Sequence, residues 1–228
     1  MWMRTKEGAT RRVTTWTALG VTSLALLATP AMAVDEPAFK VIGQSGRVEL
    51  REYPAYLVAE TRVTAEFAEA GNLAFGPLFK YISGNNRGQE KIEMTAPVSQ
   101  VAATGAGEKI EMTAPVTQVS ANDAPGSYVI SFVMPARFTR GTLPQPVDPR
   151  VQIREIAPRK VAVLRFSGTW SEARYTEHVA TLKAEIGKAG WRMLGPVEFA
   201  RYDPPFMPWF LRRNEVMIDV EPRSNVSG

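Results

Sequence analysis

An internal duplication constrains the fold of this chain more than any other feature. Residues 48–62 (VELREYPAYLVAETR) align without gaps on residues 151–165 (VQIREIAPRKVAVLR). The identities are Val48/Val151, Arg51/Arg154, Glu52/Glu155, Val58/Val161, Ala59/Ala162 and Arg62/Arg165. Each copy predicts a strand, a proline-containing turn and a second strand, and a helical segment follows each. This shared order favours duplication over chance similarity between two hairpins, so the sequence predicts two related halves.

An amphipathic segment follows each copy, and the two segments predict helices at residues 65–83 and 171–189. Apolar residues recur in both at the spacing of one helix face, which indicates burial against a sheet. Thr64 is the predicted N-cap of the first helix, and Pro77 predicts a kink or break within it. Ser171 is the predicted N-cap of the second helix.

A shorter repeat lies between the two helices. Residues 91–101 (KIEMTAPVSQV) return almost unchanged as residues 109–119 (KIEMTAPVTQV), and apolar residues alternate with polar ones in both. This period of two predicts a strand with one buried face in each copy, and the two strands are expected to form a hairpin. Met94 and Met112 occupy equivalent inward positions, where methionine usually belongs to the core. Further strands are predicted near residues 128–134, 197–202 and 215–220.

The first 33 residues predict an export signal, cleaved after Ala33. Basic residues precede a mostly apolar run over residues 13–28, and residues 31–33 (AMA) fit the small-x-small cleavage rule. An uncleaved membrane anchor is the alternative, but the run is shorter than the roughly 20 residues that a span needs. A pair of arginines in the basic segment leaves the twin-arginine route open beside the general secretion route. We therefore expect an exported protein, periplasmic or extracellular, without a membrane span in the mature chain.

Removal of this signal changes the charge balance. The full chain has 27 basic and 23 acidic residues, a formal net charge of +4. The signal contains four basic residues and one acidic residue, so residues 34–228 carry 23 against 22, a net charge of +1. This balance gives no support for nucleic-acid binding. The chain has no cysteine and one histidine, His178, which excludes thiolate metal sites and sites that need two imidazoles.

The order of several motifs resembles the SOUL heme-binding family. The motifs are KIEMTAPV in both copies of the short repeat, YISGN at 81–85, SFVMP at 131–135, VAVLRFSG at 161–168 followed by WSE at 170–172, and YDPP at 202–205 followed by RRNE at 212–215. The match extends over about residues 39–220, so the resemblance implies a single SOUL domain in residues 34–228. It also implies an α+β fold: a distorted antiparallel β-barrel of two pseudo-two-fold-related halves, flanked by two helices. That fold is similar to the effector-binding domains of multidrug-responsive regulators.

The resemblance implies non-enzymatic binding of heme or a related tetrapyrrole in an apolar groove, for heme carriage or buffering in the cell envelope. A heme presents a large apolar face and two carboxylates, so its pocket should be apolar with cations at the mouth. If the two helices border one groove, four residues on or beside their core stripes line it. The candidate lining residues are Phe75, Phe79, Tyr175 and His178, and the candidate mouth cations are Lys80 and Arg174.

His178 is the candidate iron ligand, because a neutral imidazole can bind heme iron. Some family members have been proposed to use a histidine near the first hairpin, and residues 53–60 contain none here. The alternatives are that His178 is a partly exposed helix residue and that a methionine thioether, from Met94 or Met112, binds the iron. Without a strong axial bond, a heme site would depend on apolar burial of the macrocycle.

Two further functions stay open beside tetrapyrrole binding: a module for other apolar or amphipathic small molecules, and an envelope enzyme that uses groove carboxylates. Glu93 and Glu111 are the repeated carboxylates, and outward polar positions are their simpler interpretation. Arg212 and Arg213 either bind propionates or form ion pairs at the entry of the last strand. The sequence contains no Gly-x-Ser-x-Gly, Walker or dinucleotide-binding motif.

Overall fold

Two helices and one large antiparallel sheet make up the part of the chain that the structure describes. The computed structural model describes residues 36–88, 107–121, 126–203 and 206–222. The helices are α1 (Phe67–Ile82) and α2 (Glu172–Lys188). The strands are β1 (Lys40–Ser45), β2 (Val48–Tyr53), β3 (Tyr56–Thr64), β4 (Asn86–Arg87), β5 (Val116–Ser120), β6 (Ser127–Val133), β7 (Gln145–Pro146), β8 (Gln152–Ile156), β9 (Arg159–Phe166), β10 (Trp191–Arg201) and β11 (Asn214–Pro222). The α+β class is confirmed, and β6, β10 and β11 are strands that the sequence predicted.

The large sheet is open, so the expectation of a closed barrel is wrong. Its nine strands run in the order β1-β2-β9-β11-β10-β5-β6-β3-β8, while β4 and β7 form a separate ribbon. A barrel closes only when its two edge strands hydrogen-bond to each other. Among the described residues, β1 pairs only with β2 and β8 only with β3, which leaves one free edge at each end of the sheet.

The duplicated segments exchange strands between the two halves instead of folding as separate hairpins. β2 pairs with β9, and β3 pairs with β8. Both ladders have the same register, since Arg51 lies opposite Val161 and its counterpart Arg154 lies opposite Val58. The gapless alignment therefore maps one ladder onto the other, which confirms the predicted pseudo-two-fold relation.

The first residue of each connection explains why neither copy forms its own hairpin. Each connection between the paired segments is two residues long, Pro54-Ala55 in one copy and Ala157-Pro158 in the other. Two-residue hairpin turns need a positive φ at the first of these residues, which proline cannot adopt because its ring holds φ near −65° and which alanine adopts only with strain. The strands on either side of each connection consequently separate, and each pairs with a strand of the other copy.

The pseudo-two-fold axis passes between β5 and β10, where Gln118 lies opposite Phe199. Counted from the two sides, the strand order is equivalent: β2-β9-β11-β10 on one side and β8-β3-β6-β5 on the other. Phe199 contacts Tyr175 of α2, and the Gln118 side-chain amide donates to the Phe67 carbonyl of α1 at 3.1 Å. Because opposed residues in a ladder point to the same face, both helices pack on one face of the sheet.

Each helix buries one apolar face against the sheet. Leu78 and Tyr81 of α1 are fully buried, as are Leu182 and Ile186 of α2. Burial of a leucine side chain contributes about 1.5–3 kcal/mol, so these contacts hold the helices in place. The Tyr81 hydroxyl donates to the Pro144 carbonyl at 2.8 Å, which satisfies its polar atom inside the core.

The helix starts agree with the sequence prediction in one case and differ in the other. Ser171 Oγ accepts a hydrogen bond from the Arg174 backbone N–H at 3.5 Å, so the predicted N-cap of α2 is confirmed. Thr64 is not the N-cap of α1, because it ends β3 opposite Ser127 and the helix begins after Glu66. α1 also continues through Pro77, so the predicted break is absent.

The described part of the short repeat forms less strand than the sequence predicted. Its first copy, residues 91–101, lies outside the described residues. In the second copy only the part from Val116 onward is a strand, and Met112 is 46% exposed instead of buried. The Ile110 N–H donates to the Ile82 carbonyl at 2.7 Å, so this stretch bonds to the end of α1. Pro115 has no N–H with which to extend the ladder.

Candidate functional site

The face of the sheet opposite the helices carries a small core of its own, here called the distal face. Its buried residues are Tyr53, Val161, Val163, Ala200 and Met217. The N-terminal segment, residues 36–39, contacts this face: the Phe39 ring centre lies 5.3 Å from that of Tyr53. Glu36 forms an ion pair of 2.8 Å with Arg213. The segment is therefore fixed by one apolar and one ionic contact.

A buried ion-pair network ties β2 to β11 on the distal face. Arg51 donates two hydrogen bonds to the Glu215 carboxylate, from Nη1 to Oε2 at 3.0 Å and from Nη2 to Oε1 at 3.2 Å. Tyr202 Oη donates to Glu215 Oε2 at 2.6 Å, and Arg213 Nη2 donates to Oε1 at 3.0 Å. Burial raises the pKa of Tyr202, with the neighbouring carboxylate acting in the same direction. These donors satisfy a fully buried carboxylate, which is the condition under which such a charge is stable. Arg213 thus forms one of the ion pairs that the sequence predicted at the entry of the last strand.

A second polar cluster surrounds Arg159 at the start of β9. Its guanidinium forms ion pairs with Glu198 and, from Nη1 to Oδ1 at 3.1 Å, with Asp219. Nη2 donates to Tyr56 Oη at 2.7 Å. Burial raises the pKa of Tyr56 to about 12 and also raises the pKa of Asp219. Arg159 is thus held by groups from three other strands.

A cavity of about 660 Å³ opens beside this cluster, where β2 ends and β9 begins. We call it the lysine cavity. Its apolar and aromatic lining residues are Ala38, Phe39, Tyr53, Pro54, Pro158, Leu194 and Val220, and its charged lining residues are Lys40, Glu52, Arg159, Lys160 and Asp219. Glu52 lies opposite Lys40 on one side and opposite Lys160 on the other, so the two lysines are two strand spacings apart, about 10 Å. Three cations against two carboxylates leave the lining with a net positive charge.

The predicted residues of α1 lie on its exposed side. Phe75 and Phe79 stack on each other with ring centres 5.3 Å apart and planes 14° apart. They are 42% and 43% exposed, and Phe75 also contacts Phe132 at 5.7 Å. Lys80 follows them and is exposed. The pair is an apolar surface at the second half of the helix.

The predicted residues of α2 lie around its first two turns. Tyr175 packs against Phe67 and Phe199 with ring centres 5.0 and 5.2 Å apart, and burial raises its pKa to about 12. The His178 ring stacks on Phe166 at 3.8 Å, and its Nδ1 lies 2.6 Å from the Arg174 carbonyl oxygen. If Nδ1–H donates to that carbonyl, Nε2 is the nitrogen that a metal would meet. Arg174 itself donates to the Ser167 carbonyl at 3.1 Å.

Among the described residues, an aromatic contact joins the two helices at their starts, where Phe67 meets Tyr175. Phe75 and Phe79 lie two and three turns further along α1. None of the six predicted site residues lines the lysine cavity. The helix-face site therefore stays a prediction, and the cavity is a separate candidate. In the described residues, histidine and carboxylates form no cluster of three that could hold a metal ion.

Sequence reasoning missed Arg201, which lies between the two helices. Its guanidinium lies over the Trp170 ring at 4.7 Å and the Phe199 ring at 5.2 Å, while Nε is buried without a hydrogen-bond partner. Burial lowers its pKa to about 10. No carboxylate forms an ion pair with it in the part of the chain described. The signal was its position two residues after Phe199, which strand alternation places on the same face as Phe199.

The cations of the lysine cavity had a visible signal in the duplication. Lys160 of the second copy stands where the first copy has Leu57, and Arg159 stands where it has Tyr56. The two copies agree at the following pairs, Val58/Val161 and Ala59/Ala162, and differ in charge at these two positions.

These features define a pseudo-symmetric α+β domain with cavities suited to small molecules. The chain belongs to the SOUL heme-binding protein family, whose model matches residues 34–219. No helix among the described residues is long and apolar enough to cross a membrane.

Sequence relatives agree with this assignment, and solved structures share the fold. The chain is 28% identical over 198 residues to heme-binding protein 2 of Homo sapiens, covering 81% of this chain and 89% of that protein. It is 29% identical over 151 residues to heme-binding protein 1 of Mus musculus, covering 66% and 71%. The fold is similar to the EcmrR C-terminal domain, with a TM-score of 0.54, 10% identity and coverage of 81% and 98%. It is also similar to a hydrolase from Listeria innocua, with a TM-score of 0.51, 13% identity and coverage of 79% and 94%. At these identities the solved structures show the fold alone.

Proposed function

We propose that this protein binds heme or a related tetrapyrrole in the lysine cavity, as a binding protein and not as an enzyme. Membership of the heme-binding family supports the ligand class. The observation that carries the location is the combination of apolar and aromatic lining residues with two lysines in one cavity. A tetrapyrrole has the matching chemistry, because its ring is flat and apolar and its two propionates are anionic.

The size and lining of the cavity fit such a ligand. A volume of about 660 Å³ lies within the range of about 300–1,000 Å³ that small-molecule sites occupy. Phe39, Leu194 and Val220 offer apolar contact to the ring, and Lys40, which is exposed, and Lys160, which is partly exposed, could each pair with a propionate. Glu52 between the lysines reduces their attraction for anions, so we expect the apolar contacts to supply most of the affinity.

The lining contains neither histidine nor methionine, two residues that commonly bind heme iron as axial ligands. Tyr53 also lines the cavity, and a tyrosine can bind heme iron as the phenolate. The Tyr53 hydroxyl accepts a hydrogen bond from Arg51 Nη1 at 3.3 Å. Burial raises the pKa of Tyr53, which disfavours the phenolate that iron would require. Binding at this site therefore depends on the macrocycle and its propionates. It follows that iron-free protoporphyrin should bind about as tightly as hemin.

The predicted export signal indicates where in the cell this function would operate. Residues 1–33 lie outside the described residues and carry the features of a cleaved signal. We propose that the protein carries or buffers tetrapyrrole in the cell envelope. Intact-mass analysis of protein recovered from the envelope tests export, because cleavage after Ala33 predicts an N-terminus at Val34.

Optical titration tests the ligand class. The full chain is titrated with hemin, with protoporphyrin and with protoporphyrin dimethyl ester, and the shift of the Soret band is followed. We expect the wild type to bind all three ligands saturably. The double variant Lys40→Ala/Lys160→Ala should bind hemin and protoporphyrin, which carry free carboxylates, more weakly than the wild type does. Its affinity for the dimethyl ester should be unchanged. Equal weakening of acid and ester would contradict the role of the lysines, and no saturable shift with any of them would contradict the proposal itself.

A further inference from the structure

The lysine cavity has a counterpart in the other half of the domain. A second cavity, of about 520 Å³, opens where β3 begins and β8 ends. We call it the apolar cavity. Its lining includes Ala55, Leu57, Val133, Met134, Pro135 and Phe138. Pro54 and Ala38 line both cavities, so the two are neighbours on either side of the N-terminal segment.

The pseudo-two-fold axis relates six lining positions of one cavity to six of the other. The alignment of the duplicated segments pairs Ala55 with Pro158, Tyr56 with Arg159, Leu57 with Lys160 and Glu155 with Glu52. The ladders extend the relation, because Val133 lies opposite Val58 as Asp219 lies opposite Val161. Met134 follows Val133 in the apolar cavity, and Val220 follows Asp219 at the equivalent position of the lysine cavity. Two pockets built from equivalent positions are a property of the duplicated fold and not an accident of one loop.

The equivalent positions differ systematically in charge. Where the lysine cavity has Arg159, Lys160 and Asp219, the apolar cavity has Tyr56, Leu57 and Val133. The remaining charged residues of the apolar cavity are Glu36, Arg140 and Glu155, and Glu36 is already paired with Arg213. The positions equivalent to Arg159 and Lys160 therefore carry no charge in the apolar cavity, and Arg140 is the one cation among its lining residues. Desolvating a carboxylate against this lining would be costly, whereas a neutral ring would be stabilised by contact with it.

We infer that the apolar cavity is a second small-molecule site, which takes neutral apolar compounds with aromatic rings and excludes carboxylates and sulfonates. Phe138 lines the cavity with an aromatic ring, and the Arg137 guanidinium lies over that ring at 4.6 Å. The two halves of the duplication thus divide ligand types between them: amphipathic anions in one, neutral apolar molecules in the other. This inference goes beyond tetrapyrrole binding and depends on a different set of residues.

Two fluorescent probes that differ by one sulfonate group test the inference. N-phenyl-1-naphthylamine is neutral, and 1-anilinonaphthalene-8-sulfonate is nearly the same ring system with an anionic group. Each is titrated into the full chain, and the increase in emission on binding to apolar surface is followed. Two variants at symmetry-related positions provide the comparison: Ala55→Trp places an indole at an exposed lining position of the apolar cavity, and Pro158→Trp does so in the lysine cavity.

We expect Ala55→Trp to weaken binding of the neutral probe by at least about tenfold, a loss of about 1.4 kcal/mol, while Pro158→Trp changes it by less than about twofold. The sulfonate should bind the apolar cavity poorly and should be insensitive to Ala55→Trp. Ala136→Trp, at another exposed position of the same lining, repeats the test if Ala55→Trp does not fold. The inference is overturned if the neutral probe does not bind, if a folded Ala55→Trp or Ala136→Trp leaves its affinity unchanged, or if Pro158→Trp weakens it equally. Loss of tetrapyrrole binding alone would leave this result untouched, so failures of the two proposals are distinguishable.

Discussion

The Arg51 guanidinium and the Glu215 carboxylate form a two-point ion pair in which both side chains are almost entirely removed from solvent, with exposures of 4% and 0%. The pair joins a strand of the first duplicated segment to the last strand of the chain, with β9 between them. Its counterpart in the other half is different. Arg154, equivalent to Arg51, pairs with Glu60 at 2.8 Å, and its side chain is 53% exposed. The duplication has therefore kept the arginine and changed its surroundings.

This contrast predicts unequal effects of the same substitution. Arg51→Met should lower the free energy of unfolding by about 3 kcal/mol, because it leaves the buried Glu215 charge with fewer donors. Arg154→Met should cost less than about 1 kcal/mol, since an exposed ion pair contributes little. Denaturant unfolding followed by circular dichroism measures both. Similar losses in the two variants would show that burial of the pair does not decide its contribution.

The raised pKa of Tyr56 predicts a loss of stability at high pH. The unfolded tyrosine loses its proton near pH 10, whereas the folded one keeps it until about pH 12. Between these values the unfolded state binds fewer protons, so stability falls as the pH rises through the window and levels off above it. The stability difference between the wild type and Tyr56→Phe should be constant below pH 9 and should shrink by about 2 kcal/mol between about pH 10 and 12. A difference that does not change with pH would mean that Tyr56 titrates normally in the folded protein.

The repeat was the part of the sequence that predicted most about the fold. A gapless match implies that two segments fold alike, which the common register of the β2·β9 and β8·β3 ladders confirms. It carries no information about which strand each segment pairs with, so the exchange between halves was not predictable. Ser171 was predicted correctly because a cap is a local feature, within three residues of its partner. Thr64 failed because a tertiary contact, its pairing with Ser127 in the sheet, decided its conformation.

The cavities were less predictable than the fold, for a physical reason. The lysine cavity assembles Phe39, Lys160 and Leu194 from distant parts of the chain, and only the folded sheet brings them together. The charge differences between Leu57 and Lys160 were visible in the alignment, but not that these positions would border a cavity. Helical periodicity identified Phe75 and Phe79 as lying beside the core stripe, and both are exposed as that position implies.

The helix-face site and the lysine cavity make opposite predictions for Phe79 and His178. Binding in the lysine cavity predicts that Phe79→Ala and His178→Ala change the affinity for hemin and for protoporphyrin by less than about twofold, or about 0.4 kcal/mol. Titration of the two folded variants measures this. Weakening of both ligands by Phe79→Ala, by about 1–3 kcal/mol, would instead place the ring against α1. Selective weakening of hemin by His178→Ala would identify the imidazole as an iron ligand.

The most direct test of tetrapyrrole binding in the lysine cavity is the affinity of protoporphyrin for Pro158→Trp, measured by Soret titration beside the wild type. Pro158 lines the cavity and is exposed, so an indole there occupies the opening without replacing a core residue. Ala55→Trp, at the symmetry-related position, is the matched control, and thermal unfolding confirms that both variants fold. We predict one-to-one binding to the wild type and to Ala55→Trp, with affinity reduced at least about tenfold in Pro158→Trp. Full affinity in a folded Pro158→Trp, or no saturable binding to the wild type, would contradict the proposed function.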